Sequence, residues 1–89
     1  MNAAGDSSIR DWILSLLAAR AAGSTICPSE VARGMAEENG GTNWRAMMPL
    51  VHAEVDRLVV DRVVRLSWKG VPMASRSGPY RIARADEPS

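Results

Sequence analysis

Up to Val59 the apolar residues of this 89-residue chain recur every three or four positions, and from Val64 they recur every two. A helix buries residues at the first spacing and a half-buried strand at the second. The chain is therefore expected to be helical first and to form sheet last. In the helical part, Ile9, Ile13, Leu16, Leu17 and Arg20 share one spacing, with Trp12 beside them. They predict a first helix capped by Asp6, Ser7 or Ser8 and ending near Ala22, where Gly23 stops it. Ser24–Ile26 reads as a very short strand. Pro28 lacks the N–H that a first helical position does not need, so it opens a second helix with Cys27 at the cap and Glu30 in the first turn. Val31, Ala32 and Met35 are its buried stripe, and "EENGGTN" (37–43) ends it.

Asn43 or Thr42 caps a third helix, whose buried arc holds Trp44, Met48, Val51, Val55, Leu58, Val59 and Arg62. Pro49 sits inside that pattern, so it kinks the helix or splits off a preliminary turn at Trp44–Met48. Arg45, Pro49, His52 and Asp56 form the accessible flank, with Ala53 further round and a surface pairing expected between His52 and Asp56. Beyond residue 63, Val64, Leu66 and Trp68 point one way and Arg65, Ser67 and Lys69 the other. A ten-residue loop, "GVPMASRSGP" (70–79), leads to Tyr80 and Ile82, which resume the alternation opposite Arg81 and Ala83. This order predicts an α+β winged helix-turn-helix, a three-helix core with a small antiparallel β-hairpin as its wing. Residues 6–85 make a single domain, between flexible tails at 1–5 and 86–89.

Net charge is +1, but it is unevenly placed. Residues 1–61 carry five basic and eight acidic side chains, whereas residues 62–84 carry six basic ones and no acid. Such a split points to an anionic partner on one face. Catalysis is not expected. A nucleophilic Cys27 needs a positioned base, and His52 belongs to another helix. Cys27 reads instead as a small packed residue at a strand–helix junction. One cysteine and one histidine make no metal set, no glycine-rich loop cradles a phosphate, and no cofactor is implied. The start, "MNAAGDSS", lacks a basic region followed by an apolar run, so no secretory leader is expected. No apolar run approaches the roughly 20 residues that span a bilayer, which leaves a cytoplasmic setting and no membrane contact.

The segments "TICPSEVAR" (25–33), "WRAMMPLV" (44–51) and "GPYRI" (78–82) resemble a family of small bacterial winged-helix domains known as domain of unknown function 3253. The likeness runs over residues 8–84. It implies the winged-helix fold and brings no activity with it. Members usually carry an acidic, proline-containing wing, where this chain has the arginine-bearing "GVPMASRSG". The expected partner is double-stranded DNA. Arg45, His52 and Ala53 would enter the major groove, with Arg57 near the backbone. Lys69 and Arg76 in the wing, with outward Arg65 and Arg81, would meet phosphates. The alternative is a protein-interaction or homodimerisation module on the same fold, using an acidic third helix and the apolar edge of the first.

Overall fold

The computed structural model describes residues 4–21, 23–38, 40–41 and 43–85. Of the tails expected at 1–5 and 86–89, residues 1–3 and 86–89 lie outside these, whereas Ala4 and Gly5 belong to the first helix. Helix α1 spans Ala4–Ala19, so it starts before the expected caps and stops short of Ala22. The Arg20 N–H donates to the Leu17 carbonyl at 3.2 Å, which tightens the last turn. The Ser24 N–H then bonds the Ala21 carbonyl around Gly23, whose φ of +85° suits glycine. Helix α2 spans Pro28–Glu38. The backbone N–H of Cys27 donates to the Glu30 carboxylate at 3.1 Å, one half of a capping box. Against α2, the Trp12 ring of α1 lies so close to Gly34 that a Cβ there would stand 2.6 Å from it.

Pro49 divides the third helix as expected. A 3-10 turn covers Trp44–Met47, and α3 covers Met48–Val60 with the proline in its first turn. At the far end of α3, the Val63 N–H donates to the Leu58 carbonyl and the Arg62 N–H to the Val59 carbonyl. This closure requires a left-handed residue, usually glycine, and here Arg62 takes it at φ +62°. Arg62 therefore leaves the buried arc.

Three antiparallel strands follow in the order β2-β1-β3, with β1 at Val64–Trp68, β2 at Val71–Met73 and β3 at Arg81–Arg84. The expected long loop is thus corrected, because its first residues form β2. A two-residue turn, Lys69–Gly70, joins β1 to β2 with φ of +53° and +81°, as a type I′ hairpin needs. Three residues with a central proline give almost no alternation signal. An edge strand tolerates that proline, since one side of it need not donate. Leu66 pairs with Met73 on one side and Ile82 on the other. Ile26, from the link between α1 and α2, bridges Ile82 with two hydrogen bonds of 2.9 Å. The short strand expected there is this single bridge. Three helices followed by an antiparallel sheet make an α+β fold compatible with a winged helix.

One core joins all layers. Ile13 and Leu17 of α1 meet Val31 of α2, Val51, Val55 and Leu58 of α3, and Leu66 and Ile82 of the sheet. Val64 and Leu66 are buried, but Trp68, expected beside them, is 39% exposed. β1 outruns the core, and Trp68 stands opposite the exposed Val71 at the free end of the hairpin. Leu58 is fully buried, so Leu58→Ala is expected to cost about 2–5 kcal/mol of stability in denaturant unfolding. A loss under about 1 kcal/mol would contradict this packing.

Candidate nucleic-acid interface

The outward side of α3 carries Pro49, Leu50, Ala53, Asp56, Arg57 and Val60. Three carboxylates on or just after this helix would repel phosphate, and the structure accounts for each of them. Glu54 faces inward and is 2% exposed. It accepts hydrogen bonds from Arg10 Nε at 2.9 Å and from Arg57 Nη1 at 2.7 Å. Asp61 receives Arg10 Nη2 at 3.4 Å. Asp56 accepts two bonds from Arg76, Nε to Oδ1 at 2.8 Å and Nη2 to Oδ2 at 2.9 Å. That fork holds the Asp56 carboxyl below its usual pKa. Arg76 therefore turns back onto α3 instead of extending outward from a basic tip, because the segment between β2 and β3 runs alongside the helix.

The expected pairing of His52 with Asp56 gives way to the same arrangement. His52 Nδ1 shares a 2.7 Å hydrogen bond with the hydroxyl of Tyr80, which is buried just before β3. Desolvation, and then the nearby Arg76 charge, push the His52 pKa down, against an opposing pull from Asp56. Burial pushes the Tyr80 pKa up, so its hydroxyl keeps its proton. Arg81 is also drawn inward. Its Nε donates to Thr25 Oγ1 at 2.7 Å and its Nη2 to the Thr25 carbonyl at 3.2 Å, beside the Ile26–Ile82 bridge. Arg65 is exposed on the outer face of β1, and Lys69 is exposed in the hairpin turn.

Further positive charge sits at the corner between α2 and the 3-10 turn. Trp44 is half-buried against the core. The Arg45 guanidinium lies 4.6 Å from its ring centroid and that of Arg33 lies 4.7 Å away. Exposed contacts of this kind contribute roughly 0.5–1 kcal/mol each. Arg33 belongs to α2, and no local spacing in the sequence marks it as a neighbour of Trp44. Cys27 Sγ lies 3.0 Å from Ser29 Oγ, inside its own helix start. Among the described residues no three His, Cys, Asp or Glu side chains converge to hold a metal. No described helix is long and apolar enough to cross a membrane.

His52 has a lowered pKa in the folded state, so its neutral form favours folding. That contribution is complete above its ordinary value near 6.5 and is lost as pH falls below it toward the folded value. Urea midpoints are expected to fall between pH 7 and about pH 5.5. The slope should flatten in His52→Gln. An equal slope in that variant would assign the effect to other groups.

A family model described as "Protein of unknown function (DUF3253)" matches residues 6–85. No curated protein matches the chain.

Proposed function

From the premise that the chain belongs to the family of proteins of unknown function DUF3253, we propose that it is a cytoplasmic winged-helix module that binds double-stranded DNA without catalysing a reaction. One observation carries this reading: the carboxylates of Glu54, Asp56 and Asp61 are all paired with arginines, so α3 presents no uncompensated acid to a phosphate backbone. The 3-10 turn and α3 lie in the major groove. Arg45 and His52 touch base edges or phosphates there, and the Ala53 methyl suits a thymine methyl. Arg57 lies near the backbone, and Lys69 and Arg65 meet phosphates from the hairpin. Arg76 and Arg81 hold the wing against the body rather than touching DNA. Non-catalytic binding also fits Cys27 and His52, which have separate partners in Ser29 and Tyr80.

Lys69 supports the same assignment. Among the described residues the two non-glycine residues with positive φ are Arg62 and Lys69, both cations of the hairpin region. A glycine would fit either backbone with less strain, so each cation sits there at some conformational cost. Fluorescence anisotropy with a random-sequence duplex at low salt should show binding at micromolar protein. Lys69→Ala should flatten the slope of log affinity against log salt by about 0.9, equally for all sequences. Absence of binding by the parent protein would overturn the reading.

A second reading, a protein-contact or dimerisation module, is favoured by the exposed Trp68–Val71 pair at the hairpin's free end and by Leu50 on α3. It predicts a concentration-dependent dimer in sedimentation that Trp68→Ser abolishes. A monomer at every concentration would rule out the self-association form.

A further inference from the structure

Arg33 and Arg45 come from different elements, yet their guanidinium groups lie 4.7 and 4.6 Å from one indole centroid. Two like charges held near one ring repel each other, and the attraction of each to the ring offsets part of this. Other partners for Arg33 stand nearby in the sequence. Glu37 lies one turn further along α2, at a spacing that forms helical ion pairs. Glu38 accepts the Trp12 indole N–H at 3.2 Å. Among the described residues neither Arg33 nor Arg45 forms an ion pair with a carboxylate.

We infer that Arg33 and Arg45, stacked on Trp44, form a clamp for backbone phosphates that extends the nucleic-acid contact from α3 onto α2. This rests on the DNA-binding reading and deepens it by naming a second anchor. Stacking on an indole covers the face of a guanidinium and leaves its N–H edges available, the geometry that grips phosphate oxygens in pairs. It also removes part of the freedom that a long side chain loses on binding. Trp44 is the positioning residue. The ring also packs against the core, which limits its movement and with it that of both cations. An anion that reaches either guanidinium meets a cation that no described carboxylate pairs, which makes the site select for phosphate rather than for a neutral group. Lys69 on the hairpin is a second phosphate contact on a separate element, so the duplex is held at two places.

The test compares the parent protein with Arg33→Gln and Arg33→Lys, using anisotropy of a labelled random-sequence duplex across a salt series. Arg33 is exposed, so both variants should fold, with the thermal midpoint lowered by only a few degrees through loss of the contact to Trp44. Arg33→Gln should weaken binding roughly three- to ten-fold at low salt and flatten the salt slope by about 0.9, with sequence preference unchanged. Arg33→Lys should keep the parent's slope but lose affinity, because an ammonium neither forks nor stacks as a guanidinium does. If the parent binds and Arg33→Gln matches it in affinity and slope, the clamp is overturned while the DNA-binding reading stands. If Arg33→Lys matches the parent fully, charge alone suffices and the stacked geometry is overturned. If the parent binds no duplex, the DNA-binding reading falls and the clamp falls with it.

Discussion

A carboxylate taken out of water must be paired, and Glu54 of α3 is almost wholly out of water. One of its oxygens is held by Arg10 of α1 and the other by Arg57 of α3 itself. The apolar contacts between these helices, through residues such as Ile13, Val51 and Val55, have no preferred direction. The charged bonds do. Arg10 also reaches Asp61, at the C-terminal cap of α3, where a negative side chain is otherwise poorly placed against the helix dipole. Arg10 thus touches α3 at two points about two turns apart, which sets the tilt of the helix on the core. Any partner that reads α3 depends on that tilt.

The wing depends on α3 in turn. Asp56 grips Arg76, His52 meets Tyr80, and Thr25 holds Arg81 beside the bridge from Ile26 to Ile82. These contacts lie along the segment that carries the chain from β2, at one edge of the sheet, to β3 on the other side of β1. Without them that segment would be a loop free to move against the body. Two of the six basic residues in 62–84 are therefore spent on geometry. The charge available to a partner is smaller than the composition suggests, and it includes Arg65 and Lys69 in the hairpin and the two arginines at the Trp44 corner.

How much of this was legible in the sequence follows from distance along the chain. The helices, the junction at Cys27–Pro28, the division at Pro49 and the alternation of Val64 and Leu66 are local, and all appear at or near their expected positions. The pairs that shape the candidate site are not local. Arg10 and Glu54 are 44 residues apart, Arg81 and Thr25 are 56 apart, and Arg76 and Asp56 are 20 apart. A charge count treats each of these as solvated. Glu54 shows the consequence most clearly: on a helical wheel it weakens a DNA-binding helix, but folded it lies inside and contributes nothing to the outer face. β2 escaped for a different reason, since three residues around Pro72 carry no period.

The exposed apolar side chains decide less than they first suggest. Leu50 and Val60 both lie on the outer side of α3, but ten residues of helix separate them by about 15 Å. Between them stand the small Ala53 and the paired Asp56 and Arg57, so they do not merge into one patch, and scattered apolar residues are ordinary on protein surfaces. Trp68 and Val71 do adjoin, across a two-residue turn that places Lys69 beside them. An apolar pair next to a cation at the free end of a hairpin suits a surface that is itself both charged and apolar. A purely hydrophobic partner would leave Lys69 desolvated without a counter-charge, at a cost that the Trp68–Val71 contact would have to offset.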